Sequence, residues 1–324
     1  MKAIRVERHG GAEVLELKEI PFVETPGPGQ AVVRVMAAGV NFMDVAHRLG
    51  TYPREVPFTP GAEGSGIVDS VGEDVSRVKV GDRVAFSGQP GAYAEAILVD
   101  AGKLVPLPED FTFEQGAAFL LQGLTAHYMI HEFRKPKAGD FVLVHAAAGG
   151  VGGLLVQWAR HLGAIVIGTV SSAEKARTAR DLGADHVIVY TDEDFVSQTQ
   201  RITGEHGADL IFDGVGRSTS KGNLSAIAVR GHIVIFGASS GPAEPAAPYL
   251  LMQRSISLCG GSLLYLRTRE ELMFRANEVI SGIREGWLKP SIGGIFPLED
   301  AAKAHQLLET RRSQGKLLLA VAGH

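Results

Sequence analysis

Apolar and β-branched residues recur in short runs over the first part of the chain. Turn-forming residues separate these runs, for example at 26–29 and 81–82, and glycine and proline at such places favour tight turns. Runs of this length and composition predict β-strands. The predicted strands are residues 14–20, 31–37, 66–71, 83–86 and 92–99. This part of the sequence therefore predicts a β-rich, barrel-like domain.

From residue 123 onward, apolar strands alternate with amphipathic segments of helical period. This alternation is typical of a parallel sheet with helices on both faces. Six strands joined by crossovers suit the doubly wound order 3-2-1-4-5-6. The predicted strands are residues 141–146, 164–170, 186–190, 208–213, 231–237 and 255–259. The predicted class is α/β, a doubly wound parallel-sheet nucleotide domain beside a β-rich domain.

The last part of the chain predicts a helix at 269–282, a second helix at 298–310 and a closing strand at 316–321. A short terminal strand needs a sheet to join, and the N-terminal β-rich part offers one. We therefore predict one domain from residues 1–122 and 263–324, with residues 123–262 inserted as the nucleotide-binding domain.

Charge and composition restrict the partners. The 324 residues, 45% of them hydrophobic, can fill two cores of the usual ~100–200 residues each. Lysine and arginine total 32 against 36 acids, without a long run of either sign, which disfavours a nucleic-acid groove or an anionic membrane surface. A small uncharged molecule is the better prediction for the partner.

One cysteine, Cys259, excludes an intramolecular disulfide and a multi-thiolate metal site, so we expect a reducing, cytoplasmic location. Residues 1–8 carry charges where a signal peptide needs apolar residues, and no export is expected. Residues 141–159 are long enough to imitate a membrane span, but His145, Gln157 and several glycines interrupt them. This stretch predicts a strand, a turn and a helix, with no membrane contact.

A glycine-rich turn follows the first predicted strand of the nucleotide domain. Ala147, Gly149 and Gly152 match the pattern A-x-G-x-x-G ahead of a helix. Glycines let the backbone approach a pyrophosphate while the helix N-terminus supplies N–H donors. The alternative is a tight packing turn without a ligand, but the strands and helices that follow at βαβ distance favour a dinucleotide. The predicted phosphate-binding residues are Ala148, Gly149, Gly150 and Val151.

The end of the second strand selects the cofactor. An NAD site needs an acid there for the ribose 2′-hydroxyl, and residues 169–172 contain none. Ser171 and Ser172 could bind a 2′-phosphate, and Lys175 could supply charge. The alternative is that a serine only caps the helix and that Lys175 is a solvated lysine. The missing acid still favours NADPH.

Several stretches together resemble the zinc-independent branch of the medium-chain dehydrogenases and reductases, specifically the NADPH-dependent quinone oxidoreductases related to zeta-crystallin. They run in the expected order over nearly the whole chain, at residues 38–44, 61–66, 81–84, 91–95, 145–152, 182–184 and 213–216. The resemblance implies that the β-rich part is a GroES-like catalytic domain and that NADPH is the cofactor.

The resemblance also implies that catalytic zinc is absent. Alcohol dehydrogenases of this superfamily bind zinc through a cysteine where this chain has Asn41 and a histidine where it has Ala62. Neither replacement restores a set of zinc ligands. Glu63 remains, either as a buried structural acid or in a catalytic role.

The residues near nicotinamide and substrate are, by the same resemblance, Asn41, Asp44 and Tyr52. Asn41 could donate to an acceptor oxygen, and Tyr52 offers a phenol and an aromatic face. Their structural alternatives are an Asx turn for Asn41, the N-cap of a helix at 45–49 for Asp44 and a loop aromatic for Tyr52. Some relatives have a tyrosine where this chain has Ala46. The smaller residue predicts a wider pocket, so the resemblance does not determine the substrate.

Further cofactor contacts carry over by position. The predicted contacts are Asn41, Thr125, Gly168, Tyr190, Phe236, Gly237 and Ser239. Tyr190 corresponds to the adenine side, whereas Thr125 and the residues after the fifth strand correspond to the nicotinamide side. Arg311 and Lys316, near the C-terminus, could reach phosphate oxygens from the other domain, but exposed basic residues are common on such helices and we assign them no role.

The histidines and the cysteine favour structural interpretations. His145 lies in the first strand of the nucleotide domain and is predicted to be a packed structural histidine. His127 and His131 are one helical turn apart, but the sequence indicates no third ligand, so no metal site is predicted. Cys259 is predicted to be a buried apolar residue.

The predicted activity is NADPH-dependent reduction of quinones or related electron-poor conjugated carbonyls, because hydride transfer to such acceptors needs mainly a bound donor and an oriented acceptor. An enzymatic alternative is a 2-alkenal or enoyl-thioester double-bond reductase. A non-enzymatic alternative is an NADPH- or RNA-binding crystallin-like protein, which the acidic balance disfavours. The edge strand at 255–259 predicts a homodimer through edge pairing.

Overall fold

The computed structural model describes residues 1–22, 25–263, 266, 268–310 and 312–321. The strands, numbered in chain order, are β1 Lys2–Arg5, β2 Glu16–Glu19, β3 Gln30–Val40, β4 Glu63–Val71, β5 Arg83–Ser87, β6 Ala96–Asp100, β7 Val105–Pro106, β8 Phe141–Val144, β9 Ile165–Val170, β10 His186–Val189, β11 Ala208–Asp213, β12 Ile227–Ile235, β13 Ser257–Gly260, β14 Ile292–Pro297 and β15 Lys316–Ala320. The helices are α1 Phe42–Leu49, α2 Phe113–Glu132, α3 Gly150–His161, α4 Ala173–Asp181, α5 Phe195–Thr203, α6 Arg217–Ala226, α7 Pro248–Arg254, α8 Arg269–Arg284 and α9 Ala301–Glu309.

The chain forms two compact units. The first comprises Met1–Leu121, Leu266–Asn277 and Pro290–His324, and the second comprises Gln122–Tyr265 and Glu278–Lys289. Two of the four unit boundaries, 121/122 and 277/278, therefore fall inside α2 and α8. The domain limits predicted from the sequence, 1–122 with 263–324 and 123–262, stay a prediction.

The second unit contains a six-stranded parallel sheet in the order β10-β9-β8-β11-β12-β13. Numbered from its own first strand, this is the predicted doubly wound order 3-2-1-4-5-6, so the α/β class is confirmed. Apolar β-branched residues suit a sheet buried on both faces. Five neighbouring strands contribute buried apolar residues to one core, among them Ile188, Ile167, Leu143, Ile211 and Ile233.

The first unit is built around β3, which has 11 residues and pairs with three strands. The sheet order is β14-β15-β3-β4-β5-β7, with β6 also on β3. The closing strand β15 pairs antiparallel with β3, with Leu317 opposite Val40. This confirms that the C-terminal strand joins the N-terminal β-rich sheet.

Several predicted boundaries were wrong for local reasons. Helix α1 begins at Phe42, three residues before the predicted start, because the extended Asn41 already serves as its N-cap. Strand β8 ends at Val144, since Ala146 adopts a left-handed φ of 53°. Residues 141–159 form strand, turn and helix as predicted. Across the described segments, no helix is both long and apolar enough to cross a bilayer.

Candidate active site

The turn between β8 and α3 brings backbone N–H groups to the carboxyl edge of the parallel sheet. Gly149 is the N-cap of α3 and no side chain caps this helix. A Cβ on Gly152 would lie 2.2 Å from the carbonyl oxygen of Ala146, so only glycine lets the helix approach the turn. Ala148 is buried, whereas Gly149, Gly150 and Val151 are partly exposed. The uncapped, partly exposed helix start fits an anionic phosphate group.

A buried polar network fixes this edge of the sheet. His145 Nδ1 lies 2.9 Å from Thr169 Oγ1, and its Nε2 lies 2.7 Å from Asn223 Oδ1. Asn223 donates to Asp213, whose other carboxylate oxygen accepts from the Val215 N–H at 2.7 Å. Burial lowers the pKa of His145, so the neutral ring is favoured. The prediction of a structural histidine is confirmed.

The residues predicted to select the cofactor lie after β9. Ser172 is the N-cap of α4, and its hydroxyl accepts from the Lys175 N–H at 3.3 Å. The capping interpretation therefore holds for Ser172, although a capping hydroxyl still has a proton to donate. Ser171 and Lys175 are half-buried, and Gly168 is buried within β9. Their contacts with a 2′-phosphate stay a prediction.

The remaining predicted cofactor residues lie mainly along the same edge. The Tyr190 side chain is 45% exposed after β10, and its N–H donates to Val170 O. The N–H groups of Phe236 and Ser239 donate to the carbonyls of Asp213 and Gly214, which keeps the segment after β12 beside β11. Gly237 lies in that segment, and Thr125 is half-buried on α2.

In the first unit, Asn41 stands where β3 ends and α1 begins, and it is 8% exposed. Its Oδ1 accepts from Lys316 Nζ at 2.6 Å. Its Nδ2 donates to Gly39 O at 3.2 Å and to Glu63 Oε2 at 3.3 Å. Both amide hydrogens are therefore used inside the unit, and a donation to a substrate would replace one of these two long contacts.

Lys316 and Glu63 form a buried ion pair with an N–O distance of 2.5 Å, and both side chains are fully buried. Glu63 Oε1 also accepts from the Leu121 N–H at 2.6 Å. A Cβ on Gly39 would lie 2.6 Å from Glu63 Oε2 and 2.7 Å from Lys316 Cε. Gly39 thus leaves the space that the pair fills.

Sequence reasoning missed this ion pair. It treated Lys316 as one of the exposed basic residues, and the structure shows this to be wrong, because Lys316 begins a strand buried against β3. A usable signal was a lysine at the start of a strand expected to join the central sheet. Arg311, considered together with Lys316, lies outside the described residues.

Asp44 is the third residue of α1 rather than its N-cap, which corrects the structural alternative considered for it. Its carboxylate accepts from the Asn41 N–H at 2.9 Å and from the Tyr93 hydroxyl at 3.3 Å. Burial raises the pKa of Asp44 to about 6, and the Asn41 N–H and the charge of Lys316 oppose part of that rise. The buried Asp44 carboxylate therefore fixes the start of α1 through its hydrogen bond with the Asn41 N–H.

The hydrogen bonds continue behind Asp44. Tyr93 Oη lies 3.1 Å from His305 Nε2, and His305 Nδ1 lies 3.3 Å from Arg48 Nη1. Arginine can only donate, so Nδ1 accepts and the proton of the neutral ring is on Nε2, which donates to Tyr93. Burial, with the nearby charge of Arg48, lowers the pKa of His305 to about 3. The series of hydrogen bonds ends at Arg48, whose guanidinium forms an ion pair with Glu309 at an N–O distance of 2.7 Å.

Tyr52 differs from the other two predicted catalytic residues. It lies in the loop after α1, and its side chain is 48% exposed. Its ring meets that of His47 edge to face at a centroid distance of 5.9 Å. Asn41 and Asp44 are thus joined in one buried network, while Tyr52 presents a phenol outside it.

Comparisons with known proteins agree with this architecture. The family model for the alcohol dehydrogenase GroES-like domain matches residues 27–109, and that for zinc-binding dehydrogenase matches residues 150–277. A 2-haloacrylate reductase from a Burkholderia species is 38% identical, over 97% of this chain and 97% of that protein. Quinone oxidoreductase 1 of Escherichia coli is 40% identical, over 98% of this chain and 99% of its own.

A solved structure of the Escherichia coli quinone oxidoreductase in complex with NADPH superposes with a TM-score of 0.95 at 39% identity, covering 99% of this chain and 100% of that one. These similarities place the chain among the medium-chain dehydrogenases and reductases. Within that superfamily it belongs to the quinone oxidoreductase family related to zeta-crystallin.

Proposed function

We propose that the chain is an NADPH-dependent reductase of quinones or related electron-poor conjugated carbonyls. The enzyme class, an NADPH-dependent oxidoreductase, follows from the family. What we propose beyond it is the class of electron acceptor. The observation that carries it is the buried Lys316 ammonium, which holds Asn41 and Glu63 at 2.6 and 2.5 Å. An ammonium with an amide and a carboxylate is an arrangement for orienting polar groups rather than for binding a Lewis-acid metal.

This reductase works without zinc at the position of Asn41, Glu63 and Lys316. Ala62 carries no donor atom, and Asn41 replaces the thiolate that the alcohol dehydrogenases supply. The positive charge of Lys316 would also repel a cation brought to the same oxygens. Alcohol oxidation, which needs an agent to polarise the hydroxyl, is disfavoured relative to reduction of an activated acceptor.

NADPH, when bound, supplies the hydride. In the second unit the turn at Ala148, Gly149, Gly150 and Val151 would hold its pyrophosphate, and Ser171, Ser172 and Lys175 its 2′-phosphate. The absence of an acid in residues 169–172 favours NADPH over NADH. The other proposed contacts are Asn41, Thr125, Gly168, Tyr190, Phe236, Gly237 and Ser239.

The acceptor oxygen would be oriented by Asn41 and Tyr52. Lys316 pulls electron density toward Asn41 Oδ1, which makes the amide N–H a stronger donor. A quinone or enone oxygen would take the place of the 3.3 Å contact between Asn41 Nδ2 and Glu63. Asp44 fixes the Asn41 backbone, and Tyr52 offers an exposed phenolic proton.

A second candidate is reduction of an activated carbon–carbon double bond, as in a 2-alkenal, an enoyl thioester or an acrylate. The similarity to the Burkholderia 2-haloacrylate reductase favours it. This reaction needs a proton for the α-carbon, and Tyr52 is the exposed phenol among the three residues proposed here. Its product is a saturated compound, whereas quinone reduction gives a hydroquinone or semiquinone.

The test is a steady-state screen of NADPH oxidation with 1,4-naphthoquinone, benzoquinones, 2-alkenals and 2-haloacrylate, with product analysis. We expect the enzyme to turn over quinones at a rate that a metal chelator does not lower. Asn41→Ala should lower kcat/KM. Tyr52→Phe separates the two candidates, because losing the phenolic proton should impair double-bond reduction more than quinone reduction. No NADPH oxidation with any acceptor contradicts the proposal. Loss of activity with the chelator, in protein whose far-ultraviolet circular dichroism is unchanged, contradicts zinc independence.

A further inference from the structure

Three side chains with metal-ligand chemistry meet in the second unit, and none of them is among the residues used above. His127 and His131 lie one turn apart on α2, and Glu278 lies on α8. His127 Nε2 is 2.9 Å from Glu278 Oε2, and His131 Nε2 is 4.0 Å from the same oxygen. One ligand atom from each residue lies within 4.8 Å of the other two. The structure thus supplies the third ligand that the sequence did not indicate, 151 residues along the chain from His127.

We propose that His127, His131 and Glu278 bind a divalent transition-metal ion, with Zn²⁺ as the reference case. Imidazole nitrogens and a carboxylate oxygen are donors that Zn²⁺ prefers. With metal–ligand distances of about 2.0–2.2 Å, donors around a tetrahedral ion lie roughly 3.3 Å from each other. The two observed separations lie on either side of that spacing, so small side-chain rotations suffice to bind an ion.

Burial differs among the three ligands in a way that suits ion entry. The His127 side chain is fully buried, that of His131 is 24% exposed and that of Glu278 is 42% exposed. The Trp158 ring lies roughly perpendicular to both imidazoles, at centroid distances of 5.3 and 5.8 Å. An ion would enter from the Glu278 side, and water would complete its coordination there.

The expected role of the ion is to join α2 to α8. The two imidazole rings are nearly parallel, with centroids 4.3 Å apart, and both nitrogens reach the same carboxylate. None of the three ligands is Asn41 or Ala62, which stand at the positions of the superfamily's catalytic zinc ligands. A bound ion stabilises the folded state because the unfolded chain does not hold the three ligands together.

The experiment uses the full chain after chelator treatment and dialysis, titrated with ZnCl₂ by calorimetry and with CoCl₂ by fluorescence and visible absorption. The chain has two tryptophans, and Trp287 lies 5.2 Å from Trp158. We expect one ion per chain, quenching of tryptophan fluorescence by Co²⁺, and a higher Tm with Zn²⁺. Glu278→Gln and His131→Ala should each weaken binding at least about tenfold.

His206→Ala is the matched control, because His206 is an exposed histidine paired with Asp209 in the same unit. It should leave the affinity and the Zn²⁺-dependent rise in Tm unchanged. Circular dichroism checks that each variant folds. No saturable binding by the wild type, or wild-type affinity in either Glu278→Gln or His131→Ala, overturns the three-ligand site.

Discussion

Replacement of Lys316 by methionine tests the buried ion pair. Methionine keeps most of the side-chain length but removes the ammonium, so Glu63 stays fully buried with only the contacts from Leu121 and Asn41. Removing one partner of a buried pair costs about 3–5 kcal/mol, because the other charge is left without compensation. A loss of this size is a large part of the ~5–15 kcal/mol that keeps a typical domain folded.

The reciprocal variant and the double variant complete the cycle. Glu63→Gln leaves the Lys316 ammonium buried without a counter-charge, so it should be destabilised to a similar degree. The double variant Glu63→Gln/Lys316→Met removes both charges and should be more stable than either single variant. The interaction free energy from the cycle should be at least about 2 kcal/mol.

The free energies come from urea unfolding followed by far-ultraviolet circular dichroism. Lys303→Met is the matched control, because the Lys303 side chain is 68% exposed and pairs with Asp300 on the surface. That control should change the free energy of unfolding by no more than about 1 kcal/mol. If Lys316→Met costs no more than Lys303→Met, or if the two losses add in the double variant, the reasoning about the pair is refuted.

Three further predictions concern pH, cofactor and assembly. Because burial raises the pKa of Asp44 from 3.8 to about 6, the folded chain keeps a proton that the unfolded chain releases. The free energy of unfolding should therefore fall by up to about 3 kcal/mol from ~pH 4 to ~pH 6, and Asp44→Asn should remove this slope in urea titrations across that range. Lys175→Ala should weaken NADPH binding roughly ten- to a hundredfold with little change for NADH, and Val170→Asp should lower or invert the preference. Fluorescence titration with both cofactors measures this, and equal losses for both would contradict a 2′-phosphate contact. The edge strand β13, where Leu258 is 38% exposed, should pair in a homodimer that Leu258→Lys weakens. A wild-type sedimentation mass near one 34.4 kDa chain would reject the dimer.

The elements were predictable where local pattern decides them. The six parallel strands appear in the sequence as β-branched runs between helical segments, and their order follows from general rules of connection. The start of α1 was missed because Asn41 and Asp44 are both residue types that favour an N-cap. Only the extended backbone of Asn41 settles which of them caps the helix.

The candidate site was predictable only in its local parts. The glycine turn and the missing acid after β9 can be found within a few residues of each other. The partner of Glu63 is 253 residues away, and sequence spacing carries no signal for such a contact. The same holds for Glu278 beside His127. The sequence correctly placed His127 and His131 one helical turn apart, but it gave no sign of the carboxylate that a distant helix brings to them.

The hydrogen bonds from Arg48 to Asp44 run in one direction, and this decides whether they can carry protons. A proton leaving Asp44 by this route would require Tyr93 and His305 to reverse their roles. His305 Nδ1 would then have to donate toward the Arg48 guanidinium, which has no lone pair to accept with. This series of hydrogen bonds therefore does not conduct protons. A proton delivered to Asp44 along this route would have to come from the Arg48 guanidinium, which is not deprotonated in proteins. Protons consumed in a reduction therefore arrive by another route, and Tyr93, His305 and Arg48 serve as an electrostatic and mechanical support for Asp44.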